Sequence, residues 1–272
     1  MNSQRSALIT AVISRKGGVG KTTTSVNLAA ALARQGLKTL LIDLDGQASA
    51  SLSLGVERSR FTPSSADVLL RGMPAIDAVR PTQVQNLELM TASTDLGQLD
   101  TALAARSQRE QRLKQVLEPL RPRYDVILLD CAPWQSLLGI NCLVAADRYI
   151  VPVVPQFLAM EGVANLIHAA ERLRETLGAR VQLLGILLSM VDYRLKLTRH
   201  AVDTLRSRYG PAVFGLEMRV NVRLAEAPEY GQTIFQYDAS STGAKLFELL
   251  GEEFLLRAGM PSNAIDEMPA LR

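Results

Sequence analysis

The strongest constraint in this chain lies between residues 8 and 24, LITAVISRKGGVGKTTT. The apolar, β-branched run from Leu8 to Ile13 predicts a strand buried on both faces of a parallel sheet. Gly17, Gly18, Val19 and Gly20 follow as a tight turn. Lys21-Thr22-Thr23-Thr24 then opens a helix whose apolar side carries Val26, Leu28, Ala29, Ala30 and Leu32. A strand, a glycine turn and a helix start in that order make a phosphate cradle. Glycine lets backbone N–H groups close around an anion, and the helix start adds unpaired N–H groups and the positive end of a dipole. At this spacing Lys21 reaches β- and γ-phosphates, and the Thr22 hydroxyl suits Mg²⁺. In the common pattern G-x-x-x-x-G-K-[ST], Gly20, Lys21 and Thr22 fit, but Arg15 stands at the first glycine position. A dinucleotide-binding loop fits poorly, because Thr23 occupies the place of its third glycine.

Composition narrows the class further. The chain has 272 residues, 47% hydrophobic and 21% charged, which suits one sizeable α/β domain. No apolar run reaches the ~18–20 residues of a membrane span, and MNSQRSALIT lacks a signal-peptide core. Cys131 and Cys142 have neither metal spacing nor a disulfide framework, so a reduced, cytoplasmic setting is expected. A net charge of +3, from 30 basic and 27 acidic residues, is too small to argue for nucleic acid by itself.

Further along, strands alternate with helices. Gly36 is placed to end the first helix. Leu37–Ile42 reads as a strand running into Asp43-Leu44-Asp45-Gly46-Gln47, with two carboxylates facing the crevice at a strand's carboxyl end. Ser64-x-x-Asp67 marks a helix start. Residues 86–91 read as a strand, and 106–118 as an amphipathic helix stopped by Pro119. Tyr124 to Asp130, YDVILLD, is a buried strand that delivers Asp130 beside the Mg²⁺. Strands are expected at 147–154 and 181–190, and helices at 161–177 and 243–256. The pattern predicts a doubly wound, mainly parallel sheet with helices on both faces. Residues 1–257 form the expected single domain, and 258–272 a loose tail. The first strand starts near Leu8, so no helix-turn-helix domain is expected before it.

Lys16 just before the glycine pair gives K-G-G-x-G-K-T-T. This resembles the deviant Walker A loop of the ParA/MinD family of P-loop ATPases, closest to small ParA/Soj-type partitioning ATPases. Three further segments resemble the family in its order: Asp43 to Gln47, with Gly46 in place of a proline; Asp130-Cys131-Ala132-Pro133; and Asn221 to Pro228, NVRLAEAP. The resemblance covers roughly residues 7–257. It implies that Lys16 reaches across a dimer to the partner's nucleotide and that ATP is sandwiched between two copies. It implies that Lys21 and residues 17–22 bind the nucleotide, with Thr23 beside them, and that Asp45 positions or activates the attacking water. Asp43 would support the Mg²⁺ shell of Thr22 and Asp130. Leu188-Ser189-Met190 matches the segment that abuts adenine; Ser189 and Met190 are the candidate base contacts, and a buried strand end is an equal reading for both. The family's Pro-Arg pair is Arg219-Val220 here.

From Arg194 to Arg208 there are five basic residues against one acid, with Arg219 and Arg223 following. By resemblance, Lys196, Arg199, Arg206, Arg208, Arg219 and Arg223 are candidates to hold DNA backbone without sequence preference. The same residues also read as a solvated helix face. The implied function is an ATP-hydrolysing dimerisation switch on nucleoid DNA. It would position a chromosome or plasmid locus through a ParB-like partner, or a protein cargo through an adaptor. The alternatives are a MinD-like membrane-associated ATPase, disfavoured because the last helix carries Glu248, Glu252 and Glu253, and an accessory ATPase of a secretion or cofactor-insertion machine.

Overall fold

The computed structural model describes residues 6–156 and 159–261. Eight strands order themselves as β1 (Leu8–Val12), β2 (Thr39–Leu44), β3 (Val79–Pro81), β4 (Leu87–Met90), β5 (Val126–Cys131), β6 (Arg148–Val153), β7 (Gln182–Val191) and β8 (Val213–Arg219). The helices are α1 (Lys21–Arg34), α2 (Ser49–Ser53), α3 (Ser65–Arg71), α4 (Leu99–Leu103), α5 (Arg112–Leu117), α6 (Leu137–Ala145), α7 (Ala159–Leu177), α8 (Lys196–Tyr209), α9 (Val222–Glu226), α10 (Ile234–Tyr237) and α11 (Thr242–Ala258). The strands form one sheet in the order β3-β4-β2-β5-β1-β6-β7-β8. Every pairing is parallel except β3 with β4.

Strand alternation divides the core between the two faces. In β5, Ile127 and Leu129 pack with α3–α8, whereas Val126 and Leu128 pack with α1 and α11. The expected doubly wound architecture is therefore present. Because β1 lies centrally between β5 and β6, the turn leaving its carboxyl end sits mid-sheet, flanked by the ends of β2 and β5.

Three local expectations change. The predicted helix over 106–118 is a short α5 flanked by 3-10 turns at Arg109–Gln111 and Glu118–Arg123. Gln108 enters a left-handed conformation before it, and α5 ends at Leu117, just ahead of Pro119, which sits in the first turn of the following 3-10 segment. Strand β2 runs on to Leu44, so Asp43 lies within the sheet. Strand β8 is an element the apolar pattern alone does not announce. Helix α11 closes at Gly259 (φ 67), with Met260 N–H on the Leu255 carbonyl. Of the expected tail over 258–272, Ala258 belongs to α11 and residues 262–272 lie outside the described residues.

Candidate functional site

The loop between β1 and α1 has the character of an anion cradle. Gly18 and Gly20 take left-handed φ values of 71° and 86°, a region that other residues enter only with strain. Side chains built at Gly17 and Gly18 would meet nothing within 4 Å, so the loop faces open space. Among the described residues, no backbone N–H from Gly17 to Thr23 donates to an acceptor in the chain. A run of unmet donors at a helix start attracts negative charge. The two lysines point to different duties. Lys21 is 8% exposed, and its Nζ donates to the Lys16 carbonyl at 3.2 Å, an acceptor that also takes the Ser14 hydroxyl at 3.0 Å. Lys16 is exposed, and its ammonium has no partner among the described residues.

Beside the loop, β2 and β5 bring two carboxylates together, with Asp43 and Asp130 paired in register. Asp130 is 1% exposed; its Oδ2 accepts from the Thr22 hydroxyl at 2.8 Å and its Oδ1 from the Ser25 hydroxyl at 2.9 Å. Asp43 accepts from Ser51 N–H at 2.8 Å, Ser51 Oγ at 2.7 Å and Asp45 N–H at 3.2 Å. Burial raises both carboxyl groups above the ordinary range; at Asp130 the facing Asp43 charge adds to the rise. The Thr22 proton is committed to Asp130, which leaves the hydroxyl's lone pairs free for a cation. Asp43 braces the segment from Asp45 to α2. Asp45 is half-buried, accepts from Gln47 N–H at 3.0 Å, and lines a cleft of about 370 Å³ with Gly46, Gln47 and Ser136. Among the described residues, no three His, Cys, Asp or Glu side chains converge on a metal-sized point.

The family profile described as an AAA domain matches residues 7–183. A chromosome partitioning protein ParA of Myxococcus xanthus is 36% identical over 92% of this chain and 88% of its own length. The chromosome-partitioning ATPase Soj of Thermus thermophilus is 42% identical over 91% of this chain and 95% of its own. The chain belongs to the ParA/Soj family of partitioning ATPases. Its fold also resembles the solved cobyrinic acid a,c-diamide synthase of Mycobacterium smegmatis with bound ADP and magnesium. That likeness has a TM-score of 0.77 over 94% of this chain and 98% of that one, at 29% identity.

In this ParA-family chain, Met190 does reach the crevice. It takes a left-handed φ of 51°, is 43% exposed, and lines a cavity of about 180 Å³ with Gly20, Thr23, Met218 and Asn221. Ser189, its neighbour, is turned away and donates to the Val19 carbonyl at 2.8 Å.

The basic candidates do not form one free surface. Arg206 donates to Glu217 at 2.8 Å, and Arg223 pairs with Glu226 at 3.0 Å. Arg219 lies over the Tyr193 ring and Arg208 over Tyr209. Lys196 and Arg199 are exposed and have no ion-pair partner among the described residues. They lie on α8, close to Leu195 and Leu197, which are 59% and 80% exposed.

Ser14, Ser25 and Ser51 support the site and escape a sequence reading, whereas Ser189, expected as a base contact, supports the phosphate loop instead. Ser25 alone carries a signal, three residues after Thr22 and so on the same helix face. Ser14 acts locally, on the carbonyl two residues further on, and Ser51 meets Asp43 only once α2 folds back on it.

Proposed function

We propose that this chain is an ATP-driven dimerisation switch that holds DNA in its ATP form and positions a cargo. The observation that carries the reading is the row of unpartnered N–H groups over Gly17–Thr23, closed by Lys21 on the inside with Lys16 free on the outside. A triphosphate matches that row, and Mg²⁺ matches the Thr22 hydroxyl backed by Asp130, since this cation takes few protein ligands and completes its shell from phosphate and water. The ADP and magnesium of the M. smegmatis structure support the same pairing. When bound, Mg²⁺ neutralises charge on the β- and γ-phosphates.

The rest falls to the chain's own residues. Lys21 and the loop N–H groups hold the phosphates. Asp130 orients Thr22, and Asp43 fixes the segment that carries Asp45. Asp45 orients a water in line with the terminal phosphate. Lys16 reaches the nucleotide of a second copy, so loss of the terminal phosphate weakens the dimer. Charged hydrogen bonds of this kind contribute about 1.5–3 kcal/mol each, enough to move a monomer–dimer balance by orders of magnitude. Lys196 and Arg199 contact DNA phosphates. A ParB-like protein or cargo adaptor stimulates turnover. The names of the relatives, chromosome partitioning protein and chromosome-partitioning ATPase, support this assignment.

Sedimentation of the parent and Lys16→Ala with a slowly hydrolysed ATP analogue tests the proposal. The parent should sediment as a dimer, and the variant should bind the analogue yet stay monomeric. A variant that dimerises as readily as the parent would overturn it.

A further inference from the structure

Residue Ser189 lies on β7, two strands away from β1, yet its hydroxyl meets the phosphate loop. It is fully buried, and its Oγ donates to the Val19 carbonyl at 2.8 Å across a separation of 170 residues. The two segments also lie close together. A Cβ placed on Gly20 would lie 3.8 Å from the Ser189 Cβ and 3.5 Å from the Met218 Cε. The direction of the bond is what matters. A trans peptide is planar, and its C=O and N–H point opposite ways. Drawing the Val19 oxygen toward β7 therefore turns the Gly20 N–H toward the other side of β1. That is the side of β5, where Asp130 holds Thr22. Gly20 has a positive φ and no Cβ, so nothing intrinsic to the residue prevents this peptide from flipping.

We propose that Ser189 is a positioning residue for phosphate binding, pinning the Val19–Gly20 peptide so that the Gly20 N–H faces the bound phosphates. The inference rests on the nucleotide-binding reading above. It also gives β7 a part in the phosphate site that its place in the sheet does not announce.

The test uses the full chain as parent, Ser189→Ala, Ser189→Thr and Ser189→Cys. Affinities for ADP and for inorganic tripolyphosphate, each with Mg²⁺, are measured by calorimetry, and melting temperature is recorded without ligand. Ser189→Ala should weaken both ligands about tenfold, the value of one ordinary hydrogen bond. Ser189→Thr, which keeps the hydroxyl, should stay within about threefold of the parent by the same scale. Ser189→Cys, a weak donor of similar size, should fall between them, and it carries the test should the alanine variant not fold. Parent-like affinity in Ser189→Ala, or in Ser189→Cys where that variant stands in, would overturn the inference. So would weakening of ADP without weakening of tripolyphosphate, or a folded threonine variant that fails to recover. A parent that binds neither ligand would instead bring down the nucleotide-binding reading, and this inference with it.

Discussion

The carboxyl edge of this sheet treats charge in two ways. Over β1, β2 and β5, buried acids are satisfied by hydroxyls and backbone N–H groups, and the loop above them leaves its donors unspent. Over β7, β8, α8 and α9, the arginines have largely found partners already, in Glu217, Glu226 and two tyrosine rings. The first region is organised in advance for a multiply charged ligand. The second offers less free positive charge than its residue count implies, and what it offers centres on Lys196 and Arg199.

The contrast breaks most sharply at Lys21. Replacing it with alanine removes the one buried cation of the cradle and should cost at least about hundredfold in ADP affinity, the loss of two charged hydrogen bonds or more. Calorimetry with ADP and Mg²⁺ reads it directly, and an affinity within tenfold of the parent would mean that the loop N–H groups alone suffice.

Smaller effects are expected on the basic side. Arg199→Glu should weaken ATP-dependent DNA retention and flatten its salt dependence by about one to two phosphate equivalents. Glu217→Gln should do the opposite, releasing Arg206 and raising retention several-fold by adding about one phosphate contact. Filter binding across a salt series distinguishes them. If Glu217→Gln leaves retention unchanged, Arg206 is a structural arginine and the paired and unpaired cations cannot be told apart by function.

The smallest effect is a pH dependence that separates the regions by sign. Burial raises the carboxyl groups of Asp43 and Asp130, so the folded chain keeps protons there that the unfolded chain has already released. Ligand-free stability should therefore contain a component that falls as pH rises from about 4 toward 7. Asp192 behaves oppositely: Arg194 holds it down at about 2, and its contribution is lost only under strong acid. Urea midpoints of the parent and Asp43→Asn across that range should show a shallower slope in the variant; equal slopes would remove Asp43 as the cause.

The phosphate edge was legible in the sequence because its chemistry is local. Gly17 to Thr22 is one continuous stretch, and Asp130 ends an unbroken apolar run, so spacing alone exposes both. The basic edge was less legible for a connected reason. Strand β8 is an edge strand whose Gly215, Leu216 and Glu217 remain exposed or half-buried, so no clean period marks it. Without β8 there is no Glu217 opposite Arg206, and a helix face looks freer than it is. The supporting serines were hidden likewise: nothing near Ser51 in ASASLSLG singles it out until α2 folds back on Asp43.

The end of α11 has a practical consequence. Arg257 donates to the carbonyls of Leu184, Pro211 and Val213, which anchors the helix terminus at the edge where β7 and β8 begin. The phosphate loop lies at the other edge, about 20 Å away along the strands at ~3.3 Å per residue. A fluorescent protein grafted just after Gly259 would ride on the side remote from nucleotide, so imaging of such a fusion in living cells should follow the switch without obstructing it.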